Sequence, residues 1–300
     1  MSGREKMLVT GSGGMVGSYV SQVFQDFDLI LTDIRKGEHI LDVRRADKVD
    51  SAIRSAGPDF VLHLAAATDV DRCEQEPDWA YETNAMGTQN VALACQKHHI
   101  PMIYISTAGV FWGDQEEPYI EYDEPRPCNV YGVSKLAGER IVTSLLPQFY
   151  IVRAGWMIGG GGRDKKFVGK ICRLIADGHS PIKVVSDKWG TPTYARDLLQ
   201  GVRTLIRTGY YGLYHMSNRG KVSRYDIALA IRDILKRTDV EIIPVSSGEF
   251  PLPAARARSE SIRNFKLEKL GIYTMRTWRE ALEDYLRTEI MKEVSCAPSS

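Results

Sequence analysis

Short apolar segments alternate with amphipathic segments along the first half of the chain, and this order limits the possible folds. Strands are predicted at residues 6–10, 28–32, 59–64, 101–105 and 149–152. Helices are predicted at residues 14–25, 46–56, 77–97 and 131–145. Strands that alternate with helices form β-α-β units, which assemble into a parallel, doubly wound α/β sheet. Ligands of such sheets bind beyond the carboxyl ends of the strands.

The second half of the chain is less regular after residue 153. Helices are predicted at residues 165–177, 194–207, 223–236 and 276–292, and short strands at residues 182–185, 212–215 and 240–244. We therefore predict a first domain over residues 1–153 and a smaller mixed α/β lobe over residues 154–294. Parts of this lobe can return to the main sheet. Residues 295–300 are predicted to be a frayed tail.

Composition and charge exclude several classes of protein. The formal net charge is +1, from 39 basic and 38 acidic residues, so no strong field favours nucleic acid or a membrane surface. The longest apolar segments are too short to span a bilayer. Five cysteines without a CxxC pattern predict a reduced, cytoplasmic protein, and the six histidines show no metal-ligand spacing. We expect no nucleic-acid partner, no membrane association and no metal site.

A glycine-rich turn lies between the first predicted strand and the first predicted helix. Its glycines are Gly11, Gly14 and Gly17. Glycine is needed where a strand turns tightly into a helix and where a pyrophosphate contacts the backbone, and the helix N-terminus attracts the phosphates. The alternative is a plain strand-to-helix turn, but the context favours a Rossmann-type dinucleotide site. We expect Met15 and Val16 to contribute to it with the glycines.

Asp33, at the end of the second predicted strand, is the next candidate for cofactor binding. An acidic residue about 20 residues beyond the glycine turn usually bonds the ribose 2′-hydroxyl of NAD(H). Arg35 follows two residues later, and an arginine at this point can hold the 2′-phosphate of NADP(H). The sequence therefore leaves the choice between NADH and NADPH open.

Tyr131 and Lys135 form a YxxxK pattern at the start of a predicted helix. One helical turn places both side chains on the same face. A lysine ammonium beside a tyrosine is expected to lower the tyrosine pKa and so to activate it as a general acid or base. Thr107, which follows the fourth predicted strand, can bond a substrate carbonyl and orient it toward Tyr131. We predict that these three residues are catalytic.

Longer stretches resemble a known superfamily. They are residues 65–74, 153–159, 187–198 and 256–271, and they accompany the glycine turn and the YxxxK pattern. Together they make the chain similar to the extended short-chain dehydrogenase/reductases, and within these to the dTDP-4-dehydrorhamnose reductase family. The resemblance extends along nearly the whole chain.

The resemblance implies a reductase that uses NADPH or NADH to reduce the 4-keto group of a nucleoside-diphosphate 6-deoxysugar. It implies further cofactor contacts at Asp42, Val43, Ala65, Ala66 and Ala67. It also implies substrate contacts at Val70, Trp156, Arg256 and Arg258, the arginines being suited to a diphosphate because each can bond two oxygens. Related enzymes are often dimers, so a homodimer is expected.

The chain departs from the family pattern at two places. Family members usually carry Asp-Tyr where this chain has Ala108 and Gly109, and Asn-Ser where it has Ser259 and Glu260. The Asp-Glu pair of sugar dehydratases, which would follow Thr107, is also missing, and this argues against dehydration. Two other functions stay open. They are a nucleotide-sugar epimerase with tightly held NAD⁺, and a non-catalytic, dinucleotide-binding regulatory subunit.

Overall fold

A parallel sheet of seven strands forms the centre of the protein. The computed structural model describes residues 3–35, 39–161, 164–272 and 275–291. In chain order the strands of this sheet are β1 (Lys6–Thr10), β2 (Asp28–Asp33), β3 (His39–Ile40), β4 (Phe60–His63), β5 (Met102–Thr107), β6 (Phe149–Ala154) and β11 (Gly212–His215). Their spatial order is β11-β6-β5-β4-β1-β2-β3, and all these pairings are parallel. The predicted doubly wound α/β fold is confirmed.

The order of the strands reverses at β1, and this reversal marks a site for ligands. The chain proceeds from β1 to β2 and β3 on one side, and then from β4 to β5 and β6 on the other. Connections that leave a sheet in opposite directions open a crevice beyond the carboxyl ends of the two strands where they diverge. The residues after β1 and β4 border this crevice.

Helices of the first half cover the two faces of the sheet. They are α1 (Val20–Val23), α2 (Ala46–Ala56), α3 (Val70–Gln75), α4 (Pro77–Tyr81), α5 (Gly87–His98) and α6 (Val130–Leu145). Helix α3 and strand β3 were not predicted. Asp69 caps α3 by accepting a hydrogen bond from the backbone N–H of Arg72, 3.1 Å away.

The predicted helix at residues 14–25 was wrong in extent. The structure has a 3-10 turn over Gly17–Tyr19, followed by the single turn of α1. The residues before Gly17 form a tight loop because Gly14 N–H donates to the carbonyl oxygen of Gly11, and Ser12 N–H donates across to Thr32. Regular helical structure therefore begins only at Gly17, after this turn.

The predicted helix at residues 77–97 is interrupted. A π turn over Glu82–Met86 separates α4 from α5. Asn84, in this turn, is fully buried, and its side chain bonds the backbone of Ala67 and the hydroxyl of Ser134. Such bulges often occur beside functional sites, where they direct a side chain across the helix.

The second half adds three small sheets and five helices among the described residues. The sheets pair β7 (Trp156–Ile158) with β10 (Pro192–Tyr194), β8 (Ile182–Val185) with β13 (Ile242–Val245), and β9 (Trp189–Gly190) with both β12 (Val222–Ser223) and β14 (Ser259–Glu260). The helices are α7 (Phe167–Ala176), α8 (Ala195–Ile206), α9 (Arg224–Ile234), α10 (Phe265–Lys269) and α11 (Trp278–Tyr285), and a π turn over Leu286–Ile290 follows.

The two halves share one hydrophobic core. Strand β11 comes from the second half but pairs with β6 at the edge of the main sheet. The largest buried cluster joins Met7 and Val9 of β1 to Leu198 and Leu199 of α8. The boundary at residue 153 therefore does not separate two hydrophobic cores. That residues 1–153 bind the dinucleotide and residues 154–294 the substrate stays a prediction. No helix in the described part of the chain is long and apolar enough to cross a membrane.

A buried ion pair joins α6 to the sheet. Arg153 Nη2 on β6 lies 2.6 Å from Glu139 Oε2, and the two side chains are 3% and 4% exposed. The hydroxyl of Ser106 on β5 donates to Glu139 Oε1 at 2.5 Å. Burial of both charges is costly, so the pair specifies the position of α6 more than it adds net stability.

We expect Glu139→Leu to lower the free energy of unfolding by about 3–5 kcal/mol, because Arg153 is then buried without a partner. The double variant Glu139→Leu/Arg153→Met should regain most of this loss. Urea unfolding followed by circular dichroism measures both values. Glu283→Gln, in an exposed ion pair with Arg287, is the control and should change little. Equal losses in the single and double variants would contradict this account.

Candidate active site

In the glycine turn, the backbone at Gly11 and Gly17 lies in close contact with the backbone of other residues. Gly11 has φ +71°, and a Cβ there would lie 2.6 Å from the backbone nitrogen of Ala65. A Cβ on Gly17 would lie 2.3 Å from the carbonyl oxygen of Ser12. At Gly14, by contrast, the nearest atom is the Gly11 carbonyl oxygen at 3.3 Å, and nothing else lies within 4 Å. The turn thus leaves an open surface of backbone at the crevice, which suits a pyrophosphate.

Asp33 closes this turn from the neighbouring strand. Its Oδ2 accepts a hydrogen bond from Gly13 N–H at 3.0 Å, and its Oδ1 accepts one from Arg35 N–H at 2.9 Å. The side chain of Arg35 is exposed beside it. Both groups predicted to contact the 2′-position of a ribose therefore lie at the same edge of the crevice.

Asp42 and Val43 lie farther along this edge. Asp42 forms an ion pair with Arg44 at 2.7 Å, and the hydrogen bond from Arg44 lowers the pKa of the carboxyl. Val43 is buried, and its carbonyl oxygen accepts a hydrogen bond from Asn90. Helix α5 begins at Gly87, where a Cβ would lie 2.8 Å from Val43.

The alanines after β4 form the opposite side of the crevice. Ala65 packs against Gly11, and its N–H donates to the Thr10 hydroxyl at 3.3 Å. Ala67 exchanges two hydrogen bonds with the Asn84 side chain, at 2.8 and 3.0 Å. Ala66 lies between Ala65 and Ala67, which these hydrogen bonds hold in place, and it is half-buried.

Tyr131 and Thr107 are brought together by close packing of α6 on the segment after β5. Asn129 caps the helix by accepting a hydrogen bond from Gly132 N–H at 2.9 Å. A Cβ on Gly132 would lie 2.3 Å from the carbonyl oxygen of Gly109. This approach places Tyr131 close to Thr107, whose hydroxyl lowers the pKa of the phenol against the larger effect of burial.

Burial controls the protonation of Tyr131 and Lys135, the predicted catalytic pair. It raises the pKa of Tyr131 to about 12, the hydrogen bond with Thr107 opposes this rise, and the charge of Glu260 adds to it. Burial lowers the pKa of Lys135 to about 7. Its Nζ donates to the Ile105 carbonyl oxygen at 2.9 Å and lies 4.1 Å from the centre of the Tyr104 ring. The expectation that lysine lowers the tyrosine pKa was wrong here, because desolvation is the larger effect.

Val70 and Arg256, two of the predicted substrate contacts, are linked through the start of helix α3. Val70 is the first residue of α3, and Asp71 follows it. Arg256 Nη2 lies 2.9 Å from Asp71 Oδ2, and Arg256 Nη1 donates to the Ala254 carbonyl oxygen. Arg258 is exposed and lines a pocket beside Trp189 and Lys221. The two predicted arginines therefore have different surroundings.

Trp156, another predicted substrate contact, packs against strands β9 and β14. Its ring lies on Gly190, where a Cβ would be 2.4 Å from the indole. Its Nε1–H donates to Glu260 Oε2 at 2.5 Å. The guanidinium of Arg224 lies 4.4 Å from the centre of the indole and 5.0 Å from that of Phe167.

The sequence did not indicate that Arg224 and Glu260 contact Trp156. Ser223 and Asp226 form a capping box, so the sequence could have placed Arg224 at the start of a helix. Nothing in the sequence shows that this helix end meets Trp156, which lies far away along the chain. Glu260 was noted only as a departure from the family pattern.

This arrangement defines a class of protein. A glycine turn at the point where the strand order of a doubly wound sheet reverses, with Thr107, Tyr131 and Lys135 beside it, is the site of an extended short-chain dehydrogenase/reductase. In the described part of the chain, no cluster of three or more histidines, cysteines and carboxylates is placed to hold a metal ion.

Comparison with known proteins gives the family. The chain belongs to the family described as "RmlD substrate binding domain", which matches residues 5–291. It is 36% identical over 289 residues to the dTDP-4-dehydrorhamnose reductase of Mycobacterium tuberculosis (strain H37Rv), covering 94% of this chain and 93% of that one. It is 35% identical over 283 residues to the spore coat polysaccharide biosynthesis protein SpsK of Bacillus subtilis, covering 94% and 97%.

A solved structure agrees over almost the same length. The dTDP-4-dehydrorhamnose reductase of Bacillus anthracis, solved in complex with NADP, superposes with a TM-score of 0.89 at 35% identity. The comparison covers 95% of this chain and 99% of that one. The resemblance seen in the sequence is confirmed.

The low pKa of Lys135 predicts how stability depends on pH. In the unfolded chain a lysine has a pKa of about 10.4, so the unfolded state binds more protons than the folded state between pH 7 and 10. Burial of the ammonium therefore costs stability at pH 7, and this cost disappears as the pH rises toward 10. It is on the order of a few kcal/mol.

The measurement compares the free energy of unfolding of the wild-type protein with that of Lys135→Met, in denaturant, at several pH values from 7 to 9.5. We expect the wild type to gain stability relative to the variant as the pH rises. Lys97→Met, at an exposed position, is the control and should give a constant difference. A constant difference for Lys135→Met as well would show that its ammonium is not desolvated.

Proposed function

We propose that the chain is an NADPH- or NADH-dependent reductase of the 4-keto group of a nucleoside-diphosphate 6-deoxysugar, most closely a dTDP-4-dehydrorhamnose reductase. The names of its full-length relatives support this proposal. The observation that carries it is the position of Tyr131. This phenol, with a pKa of about 12, lies beside Thr107 at the crevice that the glycine turn borders.

The protonation of Tyr131 suits the direction of this reaction. A bound NADPH or NADH would supply the hydride to the carbonyl carbon. A phenol with a pKa of about 12 holds its proton at neutral pH, so Tyr131 can donate that proton to the carbonyl oxygen as negative charge develops there. The hydroxyl of Thr107 bonds the same oxygen. Lys135 uses one donor for Ile105 and keeps others for a ribose hydroxyl.

The residues around the crevice fit a dinucleotide. The open backbone at Gly14 supports binding of the pyrophosphate by Gly11, Gly14, Met15, Val16 and Gly17. Asp33 and Arg35 border the 2′-position, and the remaining contacts are assigned to Asp42, Val43, Ala65, Ala66 and Ala67. NADPH is the first cofactor to test, because the Bacillus anthracis relative was solved with NADP.

The diphosphate of the substrate is assigned to Arg224 in addition to the arginines predicted from the sequence. Arg256 already donates hydrogen bonds to the Asp71 carboxylate and to the Ala254 carbonyl oxygen. The guanidinium of Arg224 has no hydrogen bond or ion pair with any described residue, although aromatic rings surround it. A guanidinium with unused donors is suited to bind two phosphate oxygens at once. Val70 and Trp156 would then border the sugar.

The main test is oxidation of NADPH and NADH, followed at the nicotinamide absorbance, with a panel of nucleoside-diphosphate 4-keto-6-deoxysugars. Oxidation with the dTDP-linked substrate would establish the reductase. Dinucleotide binding without oxidation would instead support the two other functions. An epimerase would copurify with NAD⁺, and a regulatory subunit would form a stable complex with a different enzyme.

Tyr131→Phe should reduce turnover at least about 100-fold, because the variant has no proton to donate. Binding of NADPH, measured by fluorescence titration, should be retained. Tyr122→Phe, at an exposed position, is the control and should keep full turnover. Turnover by Tyr131→Phe close to that of the wild type would mean that another group is the acid.

Arg224→Met should raise the KM for the sugar nucleotide about 10-fold or more, since a charged hydrogen bond to phosphate is lost while packing on Trp156 is kept. The KM for NADPH should stay within about twofold. Arg232→Met, on the same helix but paired with Asp233, is the control. An unchanged KM for the sugar nucleotide in Arg224→Met would show that Arg224 does not bind the diphosphate.

We further propose a cytoplasmic location and a homodimer. The cysteines support the location, because Cys73, Cys95, Cys128 and Cys172 are all free thiols. The dimer is supported only by the resemblance to the family, and size-exclusion chromatography with light scattering tests it.

A further inference from the structure

Two side-chain oxygens flank Gly109, two residues after the proposed catalytic threonine. The N–H of Gly109 donates to Thr107 Oγ1 at 3.0 Å. A Cβ at Gly109 would lie 3.3 Å from Thr107 Oγ1 and 3.4 Å from Glu260 Oε1. Both oxygens therefore border the same small volume, although their residues are far apart along the chain.

One oxygen of Glu260 has no partner in the described part of the chain. Oε2 accepts the hydrogen bond from Trp156, but no hydrogen bond or ion pair is formed by Oε1. The residue is half-buried, and Oε1 is not among the buried atoms that lack a partner. A carboxylate oxygen in such a position is an unused acceptor.

Rigid elements hold Glu260 in this orientation. Strand β14 pairs with β9, and Glu260 lies opposite Gly190 in that ladder. The ring of Trp156 lies on Gly190, so the indole that anchors Oε2 is fixed on the same strand pair. The free Oε1 is thus aimed at the space over Gly109 without any movement of the chain.

Glu260 lies close enough to Arg224 and Tyr131 for its charge to act on both. Burial lowers the pKa of Arg224, and the charge of Glu260 opposes that change. The two side chains touch the same indole but form no ion pair. Glu260 also acts on Tyr131, whose pKa is raised first by burial and further by this charge.

We propose that Glu260 determines specificity, with Oε1 accepting a hydrogen bond from a donor on the sugar carbon next to the carbonyl. The inference rests on the proposed function, which places the carbonyl oxygen between Thr107 and Tyr131. In a 4-keto-6-deoxysugar the neighbouring carbons are C3 and C5, and only C3 carries a donor. A hydroxyl and an ammonium at C3 share the required chemistry.

Three substrates separate these donors. They are 4-keto-6-deoxysugars on one nucleotide, with a hydroxyl, an amino group or only hydrogen at C3. Glu260→Ala should lower kcat/KM about 10- to 100-fold for the first two, because a hydrogen bond to a charged acceptor is lost. It should change kcat/KM less than about threefold for the 3-deoxy substrate, which has no donor to lose.

Glu260→Gln distinguishes this role from support of Trp156. The indole N–H requires an acceptor, so the amide oxygen turns to Trp156 and the amide nitrogen faces Gly109. A 3-hydroxyl can accept from that nitrogen, but a 3-ammonium has only donors. We expect a loss of about 10-fold or more in kcat/KM for the amino substrate and less than about fivefold for the hydroxyl substrate. Glu249→Gln, an exposed glutamate, is the control.

Two results would overturn the proposal. Equal losses on all three substrates in Glu260→Ala, with none in Glu260→Gln, would mean that Glu260 only supports Trp156. Unchanged kinetics in both variants would mean that it does not contact the sugar.

If the proposed function itself is wrong, the experiments give a different result from those above. In that case the wild-type protein oxidises neither NADPH nor NADH with any substrate. Titration calorimetry of the three sugar nucleotides against dinucleotide-loaded protein then decides the matter. The proposal expects weaker binding of the 3-deoxy ligand to the wild type and equal binding of all three to Glu260→Ala. Equal binding of all three to the wild type would refute it.

Discussion

The contact between the first turn of α6 and the segment after β5 determines the geometry of the site. Gly132 lies so close to the Gly109 carbonyl that any side chain there would collide with it. Because Tyr131 and Lys135 lie on this helix, the contact also sets the distance from Tyr131 to Thr107. Below Lys135, Glu139 fixes the same helix to the sheet by its buried ion pair. A shift of α6 would therefore disturb the proton donor, the lysine and the core together.

Burial explains why the site costs stability and why it suits reduction. The same desolvation that raises the pKa of Tyr131 lowers that of Lys135. At neutral pH the tyrosine keeps its proton, as the proposed reduction requires, while the lysine loses its charge readily. A solvated pair would have the opposite properties, with a more acidic tyrosine and a permanent cation. The sequence places the two residues on one face, but the depth at which they lie depends on the packing around them.

Features encoded by neighbouring residues could be predicted from the sequence. The glycine turn, five of the strands of the first half and the pairing of Tyr131 with Lys135 depend on spacing of a few residues, whereas the two-residue strand β3 has too short a pattern to be recognised. The wrong extent of the first helix has a local cause that periodicity does not show, since Gly14 N–H folds back to the Gly11 carbonyl oxygen. The positions of Arg224 and Glu260 could not be predicted, because each depends on contacts with Trp156 between segments that are distant along the chain.

The two places where the chain departs from the family pattern lie next to each other in the structure. Where family members usually carry a tyrosine, Gly109 leaves a space, and where they usually carry a serine, Glu260 points an oxygen into that space. A large side chain at residue 109 would occupy the volume that Glu260 Oε1 now borders. The two positions are therefore in contact, and a large side chain at residue 109 would require Glu260 to move, whereas glycine accommodates it. At this point the chain has a charged acceptor on the β14 side where the family usually has an aromatic side chain on the β5 side, and Thr107 and Tyr131, which we propose are catalytic, lie beside it.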